Sequence, residues 1–182
     1  MKKFELTAEF VTNVFGKKLF RIKALVAFGD VEKGELGGFI EKEDNLSHDD
    51  NAWVSGNAWV YGDARVYGDA RVSGNACVYG DAWVYGDAWV YGNAQVSGNA
   101  DYAAVAGFGR YSRTTTFFRC KDKILRVQCG CFYGDLAQFR EIVKKTHGDS
   151  KYAKEYLAIA DLMELHFSDE CGGEQMNDGK IH

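Results

Sequence analysis

The chain has 182 residues, a net charge of −4 and a pI near 5.6, and 46% of its residues are hydrophobic. That length and composition suit a globular protein with one or two modest cores. The weak acidity gives no bulk electrostatic reason to bind nucleic acid or an anionic membrane surface, and no apolar run nears the roughly 18 residues of a membrane span.

The opening stretch, MKKFELTAEF, has two lysines but lacks the apolar run of a signal peptide. Five cysteines, at 77, 120, 129, 131 and 171, are odd in number and show no disulfide-framework spacing. Both features lead us to expect reduced thiols and a cytoplasmic setting. FELTAEF and KLFRIKALVAF alternate apolar and polar residues. They predict a small antiparallel sheet, an N-terminal β cap over residues 1–38. Proline is absent, where ordinary usage of about 5% would give roughly nine. That suits a chain rich in backbone ladders, where a missing N–H is costly.

From Asn51 to Ala100 one six-residue unit, [Asn/Asp]-Ala-x-Val-x-Gly, repeats about eight times. None of the twelve Phe falls in this segment. Ala and Val sit two apart, so they share a face of an extended strand, and the two x residues share the other. Gly followed by Asn or Asp is a turn signal. The x positions after Ala accept Trp53, Trp59, Arg65, Arg71, Cys77, Trp83, Trp89 and Gln95. A set that admits Arg and Gln faces outward, so Ala and Val form the crowded interior. Asn57, Asn75 and Asn93 recur every eighteen residues, as do Ser55 and Ser73, although Tyr91 breaks the Ser column. Three units per coil would produce that spacing. Upstream, Ile40 and Leu46 fall in the Ala register, so GGFIEKEDNLSHDD reads as degenerate rungs. A β-helix of about four coils is therefore expected over residues 39–102.

Residues 103–170 read as a compact α+β domain, a β-hairpin plus two helices. TTTFFRC and ILRVQCGCF flank a Lys-Asp-Lys turn as the hairpin. LAQFREIVKKTHG reads as a helix with Asp135 as N-cap and Gly148 as its stop. Asp149 or Ser150 caps a second, in which Tyr152, Tyr156, Ile159, Met163 and Phe167 share an apolar stripe. Residues 171–182, CGGEQMNDGKIH, read as a disordered tail.

On the eight consecutive Val-to-Ala pairs from Val54–Ala58 to Val96–Ala100, the chain resembles the left-handed parallel β-helix of hexapeptide-repeat proteins. The resemblance implies three units per triangular coil. The flanks GELGGFIEKEDNLS and RTTTFF…THGDSKYAKEYLAIADLMELHF resemble uncharacterised bacteriophage and prophage proteins, which implies the cytoplasm of a bacterial host cell as the setting and no mechanism. Many hexapeptide-repeat proteins are acyltransferases, and this implies a catalytic His near a coil and trimers with sites between subunits. The clear repeats here contain no His, and His48, on a degenerate rung, is the nearby candidate.

Other chemistry is thin. Cys129 and Cys131 are two apart, not in a CxxC pair, so Cys120, Cys129 and Cys131 read as buried structural thiols. Arg110, Arg113 and Thr114 form a basic, polar run able to grip an anion, without a dinucleotide fingerprint. No catalytic residue, metal or cofactor is expected. What stands out is the outward aromatics. Trp53, Trp59, Tyr61, Arg65, Tyr67, Arg71, Tyr79, Trp83, Tyr85, Trp89 and Tyr91 form columns of the residue types that anchor interfaces. Arg71 between Trp53 and Trp89 suggests cation–π pairs. The expected function is a non-enzymatic binding protein, phage- or prophage-encoded. It would bind a host protein, as an inhibitor of a host defence system, or itself as a homo-dimer or homo-trimer. The alternatives are an acyltransferase-like enzyme and a small-molecule sponge with sites between subunits.

Overall fold

The computed structural model of the chain describes residues 1–168; the expected tail, 171–182, lies outside them. The chain begins with β1 (Phe4–Thr12), β2 (Lys18–Ala24) and β3 (Leu36–Ile40). β1 pairs antiparallel with β2, and β2 with β3. Alternation turns Phe4, Ile22 and Ala24 inward.

Eight two-residue strands follow, β4 (Trp53–Val54), β5 (Trp59–Val60), β6 (Arg65–Val66), β7 (Arg71–Val72), β8 (Cys77–Val78), β9 (Trp83–Val84), β10 (Trp89–Val90) and β11 (Gln95–Val96). Each pairs in parallel with the strand three units away, as Trp53 does with Arg71 and Arg71 with Trp89. The result is a solenoid with three parallel faces, β3-β5-β8-β11, β6-β9 and β4-β7-β10. Every Ala from Ala52 to Ala94 and every Val from Val54 to Val96 in the repeat register is fully buried. At the corners the glycines supply left-handed turns. Gly74 sits at φ 73°, and a Cβ there would come within 3.0 Å of Gly92 N on the next coil. Gly98 is extended instead, at φ −160°, and there the chain leaves the coil. Ala100, next in the register, is exposed in the turn Asn99–Asp101.

The ladders amount to about three turns, where about four were expected. The cause is the register upstream. Ile40 stacks beneath Val60 and Leu46 beneath Val66, so both occupy the Val column and not the Ala column. Their side chains are too large for an Ala site in a packed interior. Two extra residues before Val54 restore the phase, and Asp50 turns that corner at φ 56°. Beside Leu46, buried Asn45 makes good a missing strand, donating its amide to Gly62 O (3.1 Å) and Ala64 O (2.8 Å).

The ladder bonds that border each two-residue strand run one way, while inside each parallel strand pair N–H and C=O alternate. Trp53 N–H donates to Ala70 O, and Arg71 N–H to Ala88 O. At those borders the first coil is left with open carbonyls and the last with open N–H groups, and burying either unpaired is costly. The two caps have opposite chemistry to match. At the carbonyl end, buried Lys3 donates its ammonium to Ala52 O (2.9 Å), Asp49 O (3.3 Å) and Asp50 O (3.3 Å). At the N–H end, Asn99 Oδ1, Thr116 Oγ1 and Asp101 Oδ2 accept from Trp83, Trp89 and Ser97 at 2.9–3.0 Å.

The C-terminal part holds four strands where a hairpin was expected. β12 (Tyr102–Phe108), β13 (Arg113–Arg119), β14 (Leu125–Cys129) and β15 (Phe132–Asp135) form one antiparallel sheet in chain order. Successive residues of β13 serve two cores. Phe118 joins the solenoid interior, and Phe117 joins a second core under α1 (Leu136–His147) and α2 (Lys151–His166). The sheet thus closes the solenoid with one face and carries the helices on the other. Asp135 caps α1, accepting from Gln138 N (2.8 Å), and Ser150 caps α2. Tyr156, Ile159, Met163 and Phe167 pack inward. Tyr152 departs from the expected stripe, since in the first turn of α2 it is 38% exposed and edges against His147.

Candidate functional site

Stacking of coils turns the x positions into columns. Tyr61 lies on Tyr79 with ring centroids 5.2 Å apart, and Tyr67 on Tyr85 at 5.4 Å, both nearly parallel. Trp83 meets Tyr67 edge-on at 6.2 Å. These contacts stiffen side chains that would otherwise lose rotamer freedom on binding.

The columns are not equally open. Trp53 is 2% exposed, covered edge-on by Phe28 from the loop after β2, so it does not belong to a binding surface. Phe28 is in turn covered by the Lys3 ammonium, 4.6 Å above its ring. Arg71 stands between Trp53 and Trp89 in the ladder, but its guanidinium ion-pairs with Asp30 of the same loop. That carboxylate replaces the expected cation–π sandwich. Trp59, Tyr61, Tyr67 and Tyr79 are half-buried and Arg65 is exposed.

The open aromatics cluster on the last coil. Trp83 (47% exposed), Tyr85 (53%), Trp89 (43%) and Tyr91 (39%) wrap from the β6-β9 face around the Gly86–Asp87 corner onto the β10 face. Tyr91 leans edge-on against Tyr133 of β15. Two clefts flank Tyr67 and Trp83. One, of about 540 Å³, runs toward Glu43, His48 and Arg65. The other, of about 550 Å³, runs toward Asn99, Tyr102 and His166. Tyr102, Asn99 and His166 carry no repeat signal, and sequence reasoning missed them. Tyr102 donates its hydroxyl to Trp83 O at 2.6 Å, which holds the Trp83 backbone from below the strip. Burial raises the Tyr102 hydroxyl pKa well above the usual tyrosine range.

His48 occupies the two-residue insertion. Its ring stacks on Phe4 at 4.2 Å, and Nδ1 accepts from Lys3 N–H at 3.1 Å. An N–H aimed at Nδ1 places the proton of the neutral ring on Nε2, which faces Glu43 Oε2 at 3.6 Å. Neither nitrogen then has a free lone pair for a general base. Glu43 is itself held below the usual carboxylate range by the Lys2 ammonium at 2.6 Å.

Arg110 and Arg113 come together at the β12–β13 turn, stacked on the Tyr111 ring at 5.5 and 5.0 Å, while Thr114 lies half-buried along β13. Cys120 is buried and Cys129 half-buried, with its thiol 3.2 Å from Thr115 Oγ1. Cys131 is exposed in the turn after β14, because that strand ends at Cys129 and the two do not share a strand face. Among the described residues, no three His, Cys, Asp or Glu side chains are grouped to hold a metal ion.

The family model of the YdcK β-solenoid repeat matches residues 58–73, 64–80 and 70–86. The three windows begin six residues apart, in step with the repeated unit, and fall on the solenoid faces that carry Trp59 to Tyr85. Together with the coiled ladders they make this a β-solenoid repeat protein of about three turns with a C-terminal helical part. No curated protein sequence matches the chain.

Proposed function

We propose that the protein is a non-enzymatic binding protein whose last coil presents an aromatic strip to a protein partner. The supporting observation is the contrast within the columns. Phe28 covers Trp53, whereas Trp83, Tyr85, Trp89 and Tyr91 stay 39–53% exposed within nine residues. A contiguous patch of this kind marks an interaction site, and Trp and Tyr dominate the residues that carry interface energy. The occupied nitrogens of His48 weigh against the acyltransferase-like alternative. The resemblance to hexapeptide-repeat proteins favours left-handed winding. The resemblance of the flanks to phage proteins favours a host protein in a bacterial cytoplasm as partner, with a defence complex as the target. A second copy of the chain on the same strip, giving a dimer or trimer, is the competing occupant.

The test is native mass spectrometry of the purified chain, then affinity capture from bacterial lysate with the wild type and with Trp83→Ala/Tyr85→Ala. A protein retained by the wild type and lost by the folded double variant supports the reading. Equal retention by both overturns it. A wild-type dimer or trimer that the double variant returns to monomer assigns the strip to self-association.

A further inference from the structure

Two turns meet at one end of the C-terminal sheet, residues 109–112 between β12 and β13 and residues 130–131 between β14 and β15. Gly109 N–H donates to Glu155 Oε2 at 2.9 Å and fastens the first turn to α2. Beneath the turns lies a cavity of about 210 Å³. Its apolar walls include Phe132, Phe139, Ile142 and Val143, and Arg110 and Arg113, both exposed, also line it. Among the described residues no carboxylate lines it. Glu155, the nearby acid, is engaged by Gly109 N–H and by Lys151 at 3.5 Å. The Tyr156 hydroxyl in the wall is pushed up to about 12 by burial and by neighbouring Cys129, so it stays a neutral hydrogen-bonding group.

The geometry points to a binding site for a small organic carboxylate with an apolar ring or short chain. The apolar part would lie among Phe132, Phe139, Ile142 and Val143, and the carboxylate would meet the Arg110 and Arg113 guanidiniums at the mouth. A guanidinium fork matches a carboxylate in two parallel hydrogen bonds. Both arginines already lie against Tyr111, which limits the freedom they would lose on binding. Inorganic phosphate has no apolar part to fill the chamber, and burying it there would strip its hydration. The volume falls below the roughly 300–1,000 Å³ of sites for drug-sized ligands, which excludes a nucleotide. The site lies within one chain, unlike a pocket between subunits, and does not depend on the aromatic strip.

Benzoate serves as the probe, titrated into the full chain by ligand-observed NMR and calorimetry. Saturable binding is expected, with benzyl alcohol at least about tenfold weaker because it lacks the charge. Equimolar phosphate should not displace benzoate. Arg110→Gln/Arg113→Gln should weaken benzoate about tenfold or more with an unchanged thermal midpoint. Ile142→Trp, at a residue 38% exposed, should block the chamber and remove binding without loss of fold. No saturable benzoate binding by the wild type overturns the proposal. So does equal affinity in the double-arginine variant, or displacement by phosphate.

Discussion

Trp53 and Trp89 stand in one column of the solenoid, two rungs apart on either side of Arg71, yet one is 2% exposed and the other 43%. Phe28 makes the difference. Trp53→Ala should therefore cost about 3–5 kcal/mol, as a large-to-small change in a packed site. Trp89→Ala should cost about 1 kcal/mol or less. Urea unfolding of both variants checks this. Equal losses would mean that the loop after β2 does not cover the column.

Lys3 is a test of the carbonyl-end cap. Lys3→Met leaves Ala52 O, Asp49 O and Asp50 O without their donor, at a cost of roughly 1–3 kcal/mol near neutral pH. Burial, and then the Arg71 charge, lower the Lys3 pKa from 10.5 to about 8. Below pH 8 both the folded and the unfolded chain hold this proton. Between about 8 and 10.5 only the unfolded chain does, so the charge's burial penalty is relieved as pH rises. The stability of the wild type relative to Lys3→Met should thus increase over that window. A difference that stays flat from pH 7 to 10 would place the Lys3 ammonium in water.

Tyr102 has the opposite sign. Its raised pKa means that the unfolded tyrosine ionises first, so its contribution is complete below pH 10 and is lost as pH climbs above it. Tyr102→Phe should cost about 1 kcal/mol at pH 7 through the lost bond to Trp83 O. It should also flatten the alkaline decline. Circular dichroism melts across pH 7 to 11 read both effects.

Val72→Lys should abolish the cooperative melt, since Val72 is fully buried in the ladder between Val54 and Val90. An unpaired charge there exceeds what a single domain tolerates. A wild-type melt would refute the inward assignment of Val.

His48→Ala removes the stack on Phe4 and the acceptor for Lys3 N–H. We expect a loss of roughly 1–3 kcal/mol in stability and no change in partner capture. Loss of capture with a preserved fold would move the function to the insertion.

The solenoid was legible because its interior tolerates only Ala and Val, so the repeat itself reports which face is crowded. Register failed where that constraint lapses. Ile40 and Leu46 keep the six-residue spacing between themselves, and only their bulk, which fits the Val column, reveals the two extra residues before Val54. Asp135 could be read from local capping chemistry, and Ser150 as one of two neighbouring candidates with Asp149. Phe28 could not be read as the lid of Trp53, because nothing local links a loop residue to a side chain a coil away. β12 and β15 were missed for a related reason. AAVAGF is too small and Gly-rich to read as a strand by itself, and FYGD is short. Both are strands because β13 and β14 offer them edges. The cavity under Arg110 and Arg113 needs four separate elements to meet, a relation that spacing along the chain does not encode.

The polarity of the solenoid also sets how this molecule can change length. Because Lys3 answers carbonyls and Asn99, Asp101 and Thr116 answer N–H groups, neither cap depends on how many coils lie between them. A duplication of eighteen residues would raise the C-terminal sheet by one strand spacing, about 4.8 Å, and leave both caps facing the same columns. A duplication of six or twelve would swing the sheet by a third or two-thirds of a turn and separate Thr116 from the β10 face. Whole coils are the increments in which such a gene can grow. A chain stripped of either cap would present a bare edge complementary to the far end of its neighbour, and would grow as a filament.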